Sequence, residues 1–248
     1  MKSNIAAAAI GTAILAGLAG TGPARAQDRH DRAWRLPNPV IVLDPYQGNQ
    51  VNWDRVATDP NVKAMIHRAF YGTRQDSAFE AQAARAREKG LLVGAYLLGR
   101  PGDPIAQADK LVDLARRTGV KFLALDIENL DPSASMTLPN AEKFIARVHA
   151  RTGRYPAFYT NWSTYQHISR TYGANSVFAR TPLWVARFRD RLGEQNPTVW
   201  RDYSFWQFSS ELNCSAGQTC AYRVPGTASD MDVNVFNGTA AQLRALFE

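Results

Sequence analysis

The sequence predicts an α/β fold organised as a single (β/α) barrel. Its 248 residues are 45% hydrophobic and 10% aromatic, which suits a full core and argues against a disordered chain. Short apolar strands alternate with amphipathic helices, a pattern typical of a parallel sheet covered by helices. Roughly five βα units are followed by about three further strands, which favours a barrel over a doubly wound sheet. Neither G-x-G-x-x-G nor a P-loop is present, so the sequence carries no nucleotide-binding signature.

The strand–helix units come first along the chain. Continuous apolar runs predict strands at Val40–Leu43, Ala64–Ile66, Leu91–Leu98, Phe122–Ile127 and Ala157–Thr160. Helical patterns lie between and after them at Ser77–Lys89, Ile105–Thr118, Pro139–Thr152 and Ser163–Tyr172. Ser77 is expected to cap its helix, and Gly90, Gly119 and Gly153 to end three of the helices.

The last third of the chain changes character. Strands are expected at Leu183–Phe188, Phe205–Phe208 and Met231–Val235, before a terminal helix at Thr239–Phe247. No repeat or linker interrupts residues 39–248, so we expect one barrel domain there.

The first 26 residues have the layout of a secretory signal peptide. Lys2 precedes an apolar run, and Ala24-Arg-Ala26 provides a cleavage site before Gln27. An uncleaved anchor is the alternative, but the run is short for a membrane span, and no later stretch is long and apolar enough to span. We therefore expect export to the periplasm or medium, with residues 27–38 a loose lead-in to the domain.

Cleavage would leave 27 basic and 22 acidic residues, a formal charge of +5, down from +7. Such a charge favours anionic surfaces such as cell-wall polymers. The basic residues are dispersed and match no nucleic-acid motif, and solubility alone is the other interpretation. We expect no nucleic-acid partner, and a monomer.

Cysteine and histidine usage points away from metal chemistry. Cys214 and Cys220 are close in sequence, and in an oxidising compartment they predict a local disulfide. The four histidines are scattered without ligand spacing, so we expect neither a metal site nor a cofactor.

Acidic residues fall at the predicted strand ends. In a parallel barrel the chemistry lies at the carboxyl ends of the strands, and burying charge there is costly without a purpose. The acids in this position are Asp44, Asp126, Glu128 and Asp232. We therefore expect them to converge at one mouth of the barrel, although each alone could cap a helix, turn a loop or pair with an arginine.

The spacing of Asp126 and Glu128 suggests acid–base chemistry. Residues two apart in a strand face the same way, about 7 Å apart. Two carboxyls so close raise the pKa of one of them, which provides a general acid at neutral pH. Glycosidic bond cleavage needs such an acid and a second group that stabilises an oxocarbenium-like centre.

Aromatic side chains near strand ends support a sugar site, since flat rings stack on pyranose faces. Core packing is the alternative for any one of them. They are Tyr46, Tyr71, Tyr96, Tyr159, Trp184 and Trp206.

From Val40 to Gly238 the chain resembles glycoside hydrolase family 25, the lysozymes of the bacterial and phage type. The order and spacing of the pieces carry the resemblance rather than any single one. They are Asp44 with Gln47-Gly48 and Trp53, Ala69–Gly72 with Asp76, Gly90–Tyr96, Gln107-Ala108, Leu125–Glu128, Thr152-Gly153 with Pro156, Phe158–Thr160, Leu183–Ala186, Phe205–Gln207 and Met231–Gly238.

The resemblance implies a distorted barrel and hydrolysis of the β-1,4 bond between N-acetylmuramic acid and N-acetylglucosamine in peptidoglycan. It implies that Glu128 is the general acid and that Asp126 stabilises the reacting centre by orienting the substrate's 2-acetamido group. Asp44 and Asp232 would line the same pocket. Residues implied to line the sugar subsites are Tyr96, Tyr159 and Trp206, and we add Gln207, Tyr46 and Trp184 as substrate-binding candidates.

The chain departs from the family pattern in its first loop. The family usually has Asp-x-Ser-x-x-Gln-Gly, whereas this chain has Asp44-Pro-Tyr-Gln47 and lacks the serine. The departure keeps two alternatives open: a non-catalytic peptidoglycan-binding protein on a hydrolase scaffold, and a glycosidase acting on another N-acetylhexosamine polymer. Whether the anomeric configuration is retained or inverted is not fixed by sequence.

Overall fold

Eight strands close into a barrel in the computed structural model, which describes residues 30–214 and 220–248. The order around the barrel is β1-β2-β4-β5-β6-β7-β8-β9, and β9 pairs with β1. The short β3 forms a hairpin with the end of β2. The strands are β1 (Val40–Leu43), β2 (Val62–Tyr71), β3 (Arg74–Gln75), β4 (Leu92–Leu98), β5 (Phe122–Asp126), β6 (Ala157–Asn161), β7 (Leu183–Ala186), β8 (Phe205–Ser209) and β9 (Val233–Phe236).

Five helices follow the first five barrel strands, and a sixth follows β9. They are α1 (Trp53–Val56), α2 (Phe79–Glu88), α3 (Pro104–Thr118), α4 (Leu138–Thr152), α5 (Trp162–Thr171) and α6 (Ala240–Phe247). The expected five βα units and three further strands are therefore confirmed. The expected cap at Ser77 is wrong: the Asp76 carboxylate accepts a hydrogen bond from the Ala78 backbone at 3.0 Å, so the carboxylate supplies the acceptor.

Strand direction determines which residues meet at the mouth of the barrel. The first seven barrel strands run parallel, but β9 is antiparallel to both β8 and β1. The beginning of β9 therefore lies at the same rim as the carboxyl ends of its neighbours. Leu43, at the end of β1, pairs with Val233, at the start of β9.

The core has two layers, one between the barrel and its helices and one inside the barrel. Helix α6 closes the end of the barrel opposite the mouth, where Phe247 stacks on Phe122 with ring centroids 4.4 Å apart. A Cβ on Gly94 would lie 2.7 Å from the Phe122 ring. The strand therefore needs a glycine at this position to make room for the two aromatic rings.

The segment expected to be a loose lead-in is packed from residue 30 onward. Trp34 is buried and stacks on Phe208 of β8 with centroids 5.3 Å apart. The reason is local: the polar stretch carries one large aromatic side chain that fits the outer core layer. The expected signal peptide, residues 1–26, lies outside the described residues.

Cys214 and Cys220 form the expected disulfide, with their Cα atoms 4.4 Å apart. Within residues 30–214 and 220–248, no helix is long and apolar enough to cross a membrane.

Candidate active site

A small pocket opens at the mouth of the barrel, with a volume of about 50 Å³. It gathers the four predicted acids and three of the predicted aromatic residues. Its lining consists of Asp44, Tyr96, Asp126, Glu128, Tyr159, Trp184 and Asp232. Carboxyl groups from three separate parts of the chain thus share one site.

Asp44 is buried directly after β1 and is held by two side-chain amides. Gln207 Nε2 donates to Asp44 Oδ2 at 2.8 Å, and Asn234 Nδ2 donates to Asp44 Oδ1 at 2.5 Å. Both oxygens of Asp44 therefore already accept a hydrogen bond from the protein, which fixes the plane of the carboxyl group.

Two aromatic donors fix the direction of these amides. Trp184 Nε1 can only donate, and it donates to Asn234 Oδ1 at 2.6 Å, so Asn234 Nδ2 must face Asp44. Tyr159 Oη donates to Gln207 Oε1 at 2.8 Å and orients that amide in the same sense. The pocket aromatics thus position Asp44 through Gln207 and Asn234.

Sequence reasoning missed Asn234, although a signal was present. It is a fully buried amide between two valines of an otherwise apolar strand, and such a group needs partners. Its second Nδ2 hydrogen goes to the Val42 carbonyl at 3.0 Å, so Asn234 also links β9 to β1.

The segment that carries Asp126 and Glu128 is clamped against β6. The Ile127 backbone N–H donates to the Tyr159 carbonyl at 3.0 Å, and Thr160 Oγ1 donates to the Ile127 carbonyl at 2.7 Å. Strand β5 ends at Asp126, so Glu128 owes its position to these bonds rather than to strand alternation.

Asn161 completes this clamp and was also missed. Its Nδ2 donates to the Glu128 carbonyl at 2.7 Å, while its Oδ1 accepts from the Thr164 backbone and caps α5. A cap that also holds the neighbouring loop cannot be distinguished from an ordinary cap in sequence.

Burial and mutual repulsion dominate the electrostatics of the pocket. Burial, followed by the charges of Glu128 and Asp44, raises the pKa of Asp126 well above its usual range. Burial and then Asp232 raise the pKa of Asp44 well above its usual range, against the two amide donors. Glu128 stands exposed at the mouth, yet partial desolvation raises its pKa as well. These acids favour sharing protons over ionising together.

Asp232 reaches the pocket by a different route from the one expected. It was expected within a strand, among acids at carboxyl ends, but it immediately precedes β9. The antiparallel direction of β9 turns that start toward the mouth, and the Asp44 backbone N–H donates to the Asp232 carbonyl at 3.4 Å. Burial, with Glu128 as the next cause, raises the pKa of Asp232 to about 7.

The predicted substrate-binding residues divide into two groups. Tyr96, Tyr159 and Trp184 line the pocket, and Gln207 contacts Asp44 behind it. Trp206 does not line it: the side chain is fully buried in the outer core layer, and Nε1 donates to the Arg187 carbonyl at 2.8 Å. Neighbouring strand residues face opposite ways, so Trp206 and Gln207 cannot both point inward.

Tyr46 lies on the first loop, residues 44–52, beside the pocket lining. Its exposed ring carries the Arg68 guanidinium 4.7 Å from the ring centroid. Arg68 Nε also pairs with the buried Asp76 at 3.1 Å, and Asp76 accepts from the Gln47 backbone at 3.0 Å. Arg68 and Asp76 therefore anchor the rebuilt loop, a role that sequence reasoning did not assign.

The unpaired hydrogen-bonding atoms of the pocket suit an organic substrate with polar groups. Asp126 Oδ1 is buried and accepts no hydrogen bond from the described residues. Within the described residues, no group of three or more His, Cys, Asp or Glu side chains is arranged so that it could hold a metal ion. The pocket thus offers an unpaired carboxyl oxygen, an exposed acid and flat aromatic walls.

Comparisons with known proteins agree on one family. The model of the family described as Glycosyl hydrolases family 25 matches residues 43–216. Lysozyme M1 of Streptomyces globisporus is 32% identical over 224 residues, covering 83% of this chain and 70% of that protein. An N,O-diacetylmuramidase of Arthroderma benhamiae is 27% identical over 231 residues, covering 83% of this chain and 90% of that protein.

A solved structure agrees with these sequence relatives. The bacterial lysozyme from Streptomyces coelicolor superimposes with a TM-score of 0.68 at 29% identity. The match covers 85% of this chain and 98% of that one.

Proposed function

The chain belongs to glycosyl hydrolases family 25 and is a glycoside hydrolase, and on that premise we propose that it is an exported muramidase of peptidoglycan. The bond cleaved is the β-1,4 link between N-acetylmuramic acid and N-acetylglucosamine. The relatives named as lysozyme and N,O-diacetylmuramidase support this bond. The signal-like residues 1–26 support export to the periplasm or the medium.

One observation carries the assignment of roles: four acids share a pocket in which only one buried carboxyl oxygen lacks a partner among the described residues. Glu128 stands at the mouth, where a leaving oxygen can reach it, and partial desolvation raises its pKa in the direction that a general acid requires. Asp126 Oδ1 is free to accept the N–H of the substrate's acetamido group. That contact orients the acetamido group toward the reacting carbon.

Asp44 and Asp232 supply the surroundings that these roles require. Each oxygen of Asp44 accepts a hydrogen bond from a side-chain amide, so Asp44 is an oriented carboxyl group in the wall of the pocket. Asp232 lies beside Asp44, immediately before the neighbouring strand β9, and with a pKa of about 7 it is available to orient water or substrate. Tyr96 offers a ring surface to the sugar, whereas Trp184 is almost completely buried and acts through its hydrogen bond to Asn234.

Replacing Glu128 tests the proposal. Glu128→Gln keeps the shape but removes the proton, and general acids contribute about 10²–10⁴-fold, so sugar-end release from peptidoglycan should fall at least about 100-fold. Glu142→Gln on α4 is the matched control and should keep wild-type activity. Thermal unfolding of both variants checks the fold.

Two outcomes would contradict the proposal. A folded Glu128→Gln enzyme with near wild-type release would remove Glu128 as the acid. Wild-type protein that binds sacculi but releases no sugar ends would be a wall-binding protein instead.

A further inference from the structure

A second group of charged and aromatic residues lies on the rim of the barrel beside the pocket. Tyr71 ends β2, and its ring is contacted by two guanidinium groups. Arg100 lies 4.7 Å and Arg74 lies 5.3 Å from the ring centroid. We call Tyr71, Arg74 and Arg100 the arginine clamp.

Neither arginine of the clamp is neutralised. Within residues 30–214 and 220–248, no carboxylate forms an ion pair with Arg74 or Arg100, whereas Arg68 on the same strand pairs with Asp76. A guanidinium stacked on a ring still presents its N–H edge, which suits bidentate binding of a carboxylate. The clamp is thus a local concentration of unpaired positive charge that suits an anion.

The backbone holds Arg100 in place. The Gln107 amide accepts from the Arg100 N–H at 3.1 Å and donates to the Arg100 carbonyl at 2.8 Å. Gly72 packs against the Arg100 side chain, since a Cβ there would lie 3.0 Å from Arg100 Cβ. This order reduces the entropy lost when a ligand binds.

The clamp lies close to the proposed reacting centre. The Gly99 N–H, one residue before Arg100, donates to the Asp126 carbonyl at 2.9 Å. Tyr71 and Asp126 pair with the same residue of β4, Leu98, from either side. Two strand spacings separate them, which is about 10 Å.

From this placement we infer that the arginine clamp binds a carboxylate of the peptide attached to the substrate's muramic acid. The inference deepens the proposed function and rests on it. In a muramidase the sugar beside Asp126 carries the lactyl-linked peptide, which is long enough to cross this rim. About three extended residues span roughly 10 Å, which brings the peptide's carboxylates within reach of the clamp.

The experiment compares two forms of one substrate. Peptidoglycan is used either intact or after its peptide carboxylates have been converted to amides with carbodiimide and ammonia. Initial rates of sugar-end release are measured for the wild type and for the Arg74→Ala/Arg100→Ala double variant. Arg85→Ala/Arg170→Ala removes the same charge near the carboxyl ends of α2 and α5 and serves as the control.

Loss of a charge-assisted contact predicts an effect of roughly tenfold. The wild type and the control should cleave intact peptidoglycan about tenfold faster than the amidated form. The double variant should cleave both forms at the lower rate.

Two outcomes would overturn the inference, and a third would refute the proposed function. A double variant that keeps the wild-type preference, or a wild type without a preference, would contradict the clamp while leaving the muramidase intact. A wild type that releases no sugar ends from either form would instead refute the proposed function itself.

Discussion

The crowded acids of the pocket predict that Asp232 destabilises the folded protein at neutral and alkaline pH. Its pKa rises from the usual 3.8 to about 7, with burial as the main cause and Glu128 next. The folded state thus holds this proton more tightly than the unfolded state does. The stability that this proton gives the folded state is fully present below the unfolded-state pKa of 3.8. It is lost as the pH rises to the folded-state pKa of about 7.

The magnitude follows from that difference. At about 1.36 kcal/mol for each pKa unit, the rise corresponds to about 4 kcal/mol, and water at the pocket mouth screens part of it. Asp232→Asn keeps the shape without the charge. It should raise the free energy of unfolding by about 2–4 kcal/mol at pH 8 and leave it nearly unchanged at pH 4.

Urea unfolding at pH 4, 6 and 8 measures this effect. Glu142→Gln removes one negative charge from the outer helix α4 and should show no comparable gain at pH 8. If Asp232→Asn is no more stable than the wild type at pH 8, or gains equally at pH 4, burial and the neighbouring acids do not disfavour the charge of Asp232 as the pocket geometry requires.

Two further predictions concern the residues around Asp44, and Trp206→Phe in the outer core layer is the control for the second. Asn234→Leu removes three buried hydrogen bonds and should lower the free energy of unfolding by about 3 kcal/mol or more in urea titrations, with a clear loss of activity. An unchanged stability would show that the amide is dispensable. Trp184→Phe frees the Asn234 amide to turn, so kcat/KM on peptidoglycan should fall roughly tenfold. Trp206→Phe should cost about 1–2 kcal/mol of stability with kcat/KM within about twofold of wild type, and equal activity losses would place Trp206 in the site after all.

The barrel could be predicted from sequence because each of its strands contains a separate apolar stretch. The run before Asp44 and the run before Asp126 are continuous and bounded by turns, so their ends, and hence the acids, could be located. The true start of β2 at Val62 was missed because Lys63 interrupts the apolar pattern of a strand that runs to Tyr71.

The rest of the site depends on strand direction, register and long-range hydrogen bonds, which a single segment of sequence does not reveal. The antiparallel direction of β9 depends on its pairing with β1 and β8. The sequence therefore could not predict that Asp232 reaches the pocket from the start of a strand. Trp206 was assigned to the sugar site from its place near a strand end, whereas its register faces the outer core. Asn161 and Asn234 act through residues that are distant in sequence. The residues next to each asparagine give no indication of these contacts.

Product analysis tests the central claim most directly. Protein beginning at Gln27 is incubated with purified peptidoglycan, and the soluble fragments are reduced with borohydride and analysed by mass spectrometry. Fragments with reduced muramic acid ends, absent with Glu128→Gln, are the result we predict. Reduced glucosamine ends, or anhydro-muramic ends, would contradict the assigned bond or the hydrolytic mechanism.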